Sequence, residues 1–241
     1  MSKEPARPDQ TGLDTRSDRG EIDAFLRQVR ELGPAAGGEG RGRLLFALDA
    51  TMSRQPTWDT ACRLQADMFR EAAAIGGLDV QLVYFRGFDE CRASRWVSDP
   101  AALAGLMVKI DCRGGHTQIR KVLSHALAET EKRRVQALVY VGDCMEEDVD
   151  DLCARAGRLG LLGVPAFMFQ EGGDPRAERA FREIARLTRG AYCRFDAGAA
   201  SQLRALLKAV AVYAAGGHKA LEHHAREAGG DVKLLLAQLR S

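Results

Sequence analysis

The sequence predicts an α/β fold: a Rossmann-like, doubly wound and mostly parallel sheet with one antiparallel edge strand and helices on both faces. Three observations carry this. Short apolar runs alternate with stretches of helical periodicity from Arg43 to about residue 214, as strands joined by helical crossovers do. The runs LLFALD, ALVYVG and VPAFMF are apolar without alternation, which is how strands covered on both faces read. One pair of runs is separated only by the six residues 86–91 around the turn GFDE, too short for a crossover, so that pair must be antiparallel.

Taken in order, residues 1–20 are polar, mix both charges and offer nothing to bury, so a disordered leader is expected there. Ile22, Phe25, Leu26, Val29 and Leu32 recur at helical spacing before Pro34, predicting a short amphipathic helix over 21–33. The glycine-rich stretch 37–42 completes an N-terminal segment of 21–42. It is no phosphate loop, because it lacks the Gly-Lys-Ser/Thr ending and precedes a strand.

The main domain is expected over 43–214. LLFALD (44–49) is its first strand, followed by a helix over 57–75 with Ala61, Cys62, Gln65, Met68, Phe69 and Ala72 on one face. VQLVYF (80–85) is the second strand, and the chain returns through RASRWV (92–97) at the sheet edge. Asp99 and Pro100 supply a cap and a first helical residue for a helix to about Val108. A helix from Gln118 to about Lys132 buries Ile119, Val122, Leu123, Ala126 and Leu127. ALVYVG (137–142) is a strand, and helix 147–160 turns Val149, Leu152, Cys153, Ala156 and Leu159 inward. Then come strand VPAFMF (164–169), helix 175–188 and strand AYCRF (191–195). A helix over 199–214 closes the domain with Leu203, Leu206, Leu207, Val210 and Tyr213, and a helical tail is expected over 215–241.

Composition narrows the function. At 241 residues, 46% apolar and 28% charged, the chain suits one soluble domain or two. A net charge of +2 with Lys and Arg spread along the chain gives no basis for nucleic-acid binding. The N-terminus has no signal-peptide core, and no apolar run approaches the roughly 18 residues of a membrane span. Cys62, Cys91, Cys112, Cys144, Cys153 and Cys193 form no C-x-x-C pair, so they read as reduced, buried small hydrophobes. A cytoplasmic location without membrane contact is expected.

In such sheets, ligands bind outside the carboxyl ends of the strands. Three polar clusters fall there: Asp49-Ala50-Thr51-Met52-Ser53, Gly114-Gly115-His116-Thr117, and Asp143 after ALVYVG. Two carboxylates and three hydroxyls are hard oxygen donors, suited to Mg²⁺ or Mn²⁺ and wrong for zinc or copper. The ordered set resembles the metal-ion-dependent adhesion site (MIDAS) of von Willebrand factor A (VWA) domains, whose pattern is Asp-x-Ser-x-Ser, a distant Thr and a distant Asp. The resemblance spans about residues 43–214. It implies a VWA fold with metal residues Asp49, Thr51, Ser53, Thr117 and Asp143. Thr51 and Ser53 would bind the ion through their hydroxyls, Asp49 and Asp143 through or beside water, and Thr117 directly or through water. It also implies a coordination position left for an acidic side chain of a partner protein, and adaptor work, in bacterial relatives sometimes beside AAA-type ATPases. The sequence departs from the pattern in Thr51 for Ser, and in Gly142 and Cys144 around Asp143 where Thr-Asp-Gly is common.

The residues leave other readings open. Asp49 and Asp143 could cap turns, Thr117 could be only a helix N-cap, and His116 could be merely solvated. His218, His223 and His224 fit an exposed helix. The acidic run Glu146, Glu147, Asp148, Asp150 and Asp151 suits the first turn of a helix. A haloacid-dehalogenase-type phosphatase would want a carboxylate where Thr51 stands. A cysteine-phosphatase or rhodanese loop from Cys112 would want Arg where Gln118 stands, and no base pairs with a serine nucleophile. The expectation is a metal-dependent interaction domain that is not an enzyme. A metal-dependent hydrolase, and an interaction module with a degenerate metal site that works through the terminal helices, are the alternatives.

Overall fold

Six strands form one sheet in the computed structural model, which describes residues 41–58 and 78–195 together with 208, 210, 211 and 214. The strands are β1 (Gly42–Asp49), β2 (Leu78–Arg86), β3 (Glu90–Ala93), β4 (Ala137–Gly142), β5 (Ala166–Glu171) and β6 (Ala191–Phe195). They lie in the order β3-β2-β1-β4-β5-β6. β1 pairs in parallel with β2 and β4, and only β3 runs antiparallel, against β2. The order runs outward from β1 in both directions, so the carboxyl ends of β1 and β4 flank the topological switch point.

Every residue of β1 and β4 is buried, which their unbroken apolar runs required. Alternate residues serve opposite faces. Leu44, Phe46, Leu48, Val139 and Val141 join one core, which also holds Leu103, Met107 and Val210. Leu45, Ala47, Leu138 and Tyr140 join the other. Four helices are described: α1 (Pro100–Met107), α2 (Ile119–Lys132), α3 (Val149–Leu161) and α4 (Pro175–Leu187). The second core takes in the buried stripes of the last three. α2 buries the five residues expected of it, α3 buries Leu152, Ala156 and Leu159, and α4 buries Phe181 and Ile184 among others. Asp99 caps α1 by accepting from the backbone of Ala101 and Ala102, with Pro100 in the first turn.

The boundaries differ from expectation in three places, each for a local reason. The returning edge strand pairs over 90–93 instead of 92–97. The Ser94 hydroxyl accepts from the Leu82 backbone N–H at 3.0 Å, and pairing resumes at Val80 and Val97 with one extra residue on the returning side, as in a bulge. α3 begins at Val149, whose side chain is exposed, because Asp148 accepts from the Asp151 backbone and sets the start. β5 runs from Ala166 to Glu171, later than 164–169, because Pro165 offers no N–H to the ladder. The leader, the helix over 21–33 and the tail lie outside the described residues, as do most of the helices over 57–75 and 199–214. No described helix is long and apolar enough to cross a membrane.

Candidate metal centre

β1 delivers Asp49 to the switch point as its last residue, fully buried. The Asp49 Oδ1 accepts from the Thr51 backbone N–H at 2.8 Å, a local turn of the kind Asp favours. That turn folds Thr51 and Ser53 back over the strand end, and a 3-10 turn follows at Met52–Thr57. The Thr51 and Ser53 hydroxyls lie 3.1 Å apart. Asp143 follows the last residue of β4, and one of its carboxylate oxygens, one from Asp49 and the Cys144 Sγ lie within 4.8 Å of one another.

The loop before α2 is laid against these ends. The Arg113 backbone donates to the Ala50 carbonyl at 3.0 Å, and His116 donates to the Gly87 carbonyl at 3.2 Å. Gly115 is required by that approach, since a Cβ there would stand 1.9 Å from the Gly87 oxygen. Thr117 meets the site through Glu146, three residues beyond Asp143. Its hydroxyl and backbone N–H both donate to the Glu146 Oε2 at 3.0 Å, and the Glu146 N–H donates back to the hydroxyl at 3.2 Å.

Electrostatics single out Asp49. Burial pushes its carboxyl up to about 7; the hydrogen bonds from Thr51 oppose this, Asp143 adds to it and Arg54 opposes it. Burial first, then Asp143 and Asp49, hold the Cys144 thiol well above the usual thiol range. The buried Asp49 Oδ2 and Asp143 Oδ1 have no hydrogen-bond partner among the described residues. Such buried acceptors are normally satisfied, and two carboxylates with oxygens within 4.8 Å of one another fit a divalent cation. The two carboxylates therefore form a group that could hold a metal ion.

Several residues at the site were not foreseen. Arg54 is 1% exposed and ion-paired with Glu171 at the end of β5; an arginine directly after Ser53 was the only signal for it. The buried Tyr140 hydroxyl lies where a Cβ on Gly142 would point, 2.5 Å away. The threonine common at that position would collide with it, which accounts for Gly142. Thr117 is not a helix cap: Gln118 holds the N-cap position of α2 with no side-chain cap. Glu147 caps instead, accepting from the Ile119 and Arg120 backbones across the loop. The acidic run thus divides its work, with Glu146 on Thr117, Glu147 on α2 and Asp148 on α3. His116 packs edge-on against the exposed Phe88 ring, with centroids 5.3 Å apart.

No protein-family model matches the sequence, and no curated protein matches it. Solved structures do. A von Willebrand factor type A protein from Catenulispora acidiphila superposes with a TM-score of 0.59 at 16% identity, over 72% of this chain and 43% of its own. The VWA domain of SpRpn10 gives 0.55 at 14% identity, over 65% of this chain and 88% of its own. Proximal thread matrix protein 1 from the mussel byssus, with a zinc-occupied MIDAS motif, gives 0.57 at 17% identity, over 71% of this chain and 46% of its own. The chain therefore spans less than half the length of the Catenulispora and mussel proteins. At these identities the likeness is one of architecture, and strand order, antiparallel edge and switch point agree with it: this chain has the von Willebrand factor A fold.

Proposed function

We propose that this chain is a metal-dependent protein-binding module that holds a divalent cation through Asp49, Thr51, Ser53, Thr117 and Asp143 and presents it to an acidic side chain of a partner. The observation that carries the reading is the pair of buried, unpartnered oxygens, Asp49 Oδ2 and Asp143 Oδ1, at the switch point. Bound there, the ion would supply Lewis acidity toward an incoming carboxylate. By themselves the oxygen donors favour Mg²⁺, with Mn²⁺ as the other candidate. The rim suits a protein partner, since Met52 and Phe88 are 53% and 76% exposed beside the site, the kind of apolar anchor that interfaces cover. The zinc-occupied motif of the mussel protein supports a cation at this place in the fold. A cytoplasmic adaptor role, beside an AAA-type ATPase as in the family that the sequence resembles, completes the proposal, with binding and not turnover as the activity.

The test is capture of partners from native lysate with a divalent ion and with EDTA, using wild type, Asp49→Ala and Thr117→Ala. Metal-dependent bands that both variants lose support the reading. Bands indifferent to EDTA overturn it. One feature favours a second reading, a degenerate site: the buried Arg54 guanidinium sits close enough to lower the Asp49 carboxyl, and it could neutralise the carboxylates in place of an ion. A chain that binds no divalent ion by calorimetry would select that reading.

A further inference from the structure

Cys144 stands directly after Asp143, where glycine is common in the family that this sequence resembles. Its Sγ completes a triangle with one carboxylate oxygen each of Asp49 and Asp143, all within 4.8 Å of one another. The corners come from the adjoining ends of β1 and β4, just beyond the paired residues Leu48 and Val141. The acidic corners are not simply solvated carboxylates. Asp49 is fully buried, and its Oδ2 and the Asp143 Oδ1 lack hydrogen-bond partners among the described residues.

A sulfur beside two such oxygens changes which ion is preferred. Mg²⁺ demands octahedral oxygen ligands and gains little from a thiolate. Zn²⁺ accepts Cys sulfur and Asp oxygen together in tetrahedral sites. With bonds of about 2.0–2.3 Å, tetrahedral ligands stand roughly 3.3–3.8 Å apart. Binding would contract the observed triangle, whose corners lie within 4.8 Å, to that spacing. We propose that Cys144 is a sulfur ligand of the ion at this site and turns its selectivity from Mg²⁺ toward Zn²⁺. The inference rests on the reading of this switch point as a cation site. On binding, the Sγ–H bond breaks as the Sγ–metal bond forms. The proton leaves to solvent and nothing is oxidised. In that tetrahedral arrangement Asp49, Asp143 and Cys144 are the three protein ligands, the Thr51, Ser53 and Thr117 hydroxyls stand outside the ion's direct contacts, and a fourth position stays open, as in zinc sites that exchange an outside ligand.

The probe is Co²⁺, which takes zinc geometries and reports sulfur ligation optically. The full chain titrated with Co²⁺ is expected to develop a near-ultraviolet sulfur-to-cobalt charge-transfer band. Zn²⁺ should bleach it, and a large excess of Mg²⁺ should not. Cys144→Ser should lose the band while still binding Co²⁺ by calorimetry. Its preference for Zn²⁺ over Mg²⁺ should fall by at least about tenfold, the scale on which altered metal surroundings act. Asp49→Ala should lose the band and the binding heat together. Circular dichroism checks that the variants fold, and Cys144→Gly stands in if the serine variant does not. Co²⁺ binding by wild type without the band overturns the sulfur ligand and leaves the cation site standing, as does a band that survives in the Cys144 variants. No binding of Co²⁺, Zn²⁺ or Mg²⁺ by wild type overturns both.

Discussion

Tyr140 and Gly142 face the same side of β4 and share one space. The tyrosine ring stacks near Phe85 and meets Phe181 edge-on, with centroids 6.3 and 5.2 Å apart, so it has little room to yield. Gly142→Thr should therefore destabilise the fold by about 1–3 kcal/mol, the usual penalty of overpacking. Combining it with Tyr140→Leu should recover part of the loss in urea denaturation, and equal loss in single and double variants would refute the shared space. Asp49 makes a second prediction at this scale. Its folded carboxyl titrates at about 7 against an ordinary 3.8, so between those values the folded state holds a proton that the unfolded state has released. Without metal, stability is then highest below the ordinary value and falls as pH rises toward 7. The full difference is on the order of 4 kcal/mol. In EDTA, Asp49→Asn should melt above wild type at about pH 8 and lose that advantage by about pH 4. An Asn variant that melts below wild type at the higher pH counts against the buried charge.

Among the elements, α2 depends on a residue that is not its own. Its N-cap position offers no side-chain bond, and the free N–H groups at 119 and 120 go to Glu147. Glu147→Ala should cost about 1–2 kcal/mol, the scale of a lost cap plus an unfavourable helix terminus. It should also speed hydrogen exchange at Ile119 and Arg120. Asp174→Ala, which removes the cap from α4, should cost about as much while leaving exchange in α2 unchanged. Uniform exchange in both variants would show that Glu147 does not anchor the helix. The link matters for the site, because the same loop carries Asp143 and ties down Thr117.

At the scale of the whole molecule, the two ends of the sheet have separate tasks. At the amino end of β1, Arg43 is ion-paired with Glu129 at 2.8 Å and lies 3.8 Å from the Trp96 ring centroid, while the indole donates to Glu129 at 2.7 Å. Both charged side chains are more than nine-tenths buried, so breaking the pair strands a charge. Arg43→Ala should cost about 3 kcal/mol. It should leave unchanged the stabilisation given by a bound ion, which is about 2.7 kcal/mol at a hundredfold excess over Kd. Thermal melts with and without the ion check both, and a variant that loses its metal response would show the ends to be coupled. The unbroken apolar runs of β1 and β4, the 3.6-residue stripes of α2 and α3 and the short GFDE turn made the architecture legible in the sequence, because burial on two faces, on one stripe and at an edge each leave a different period. The positions of Asp49, Thr51, Ser53 and Asp143 were legible for the same reason, since polar residues at the ends of buried strands fall at the switch point. What only the tertiary structure decided involves partners distant in sequence: Glu146 on Thr117, Glu147 on α2, Arg54 with Glu171, and Cys144 beside both carboxylates. Those contacts join loops that meet only after the sheet has assembled. Periodicity along the chain records which face a residue buries and carries no record of which loop it will touch.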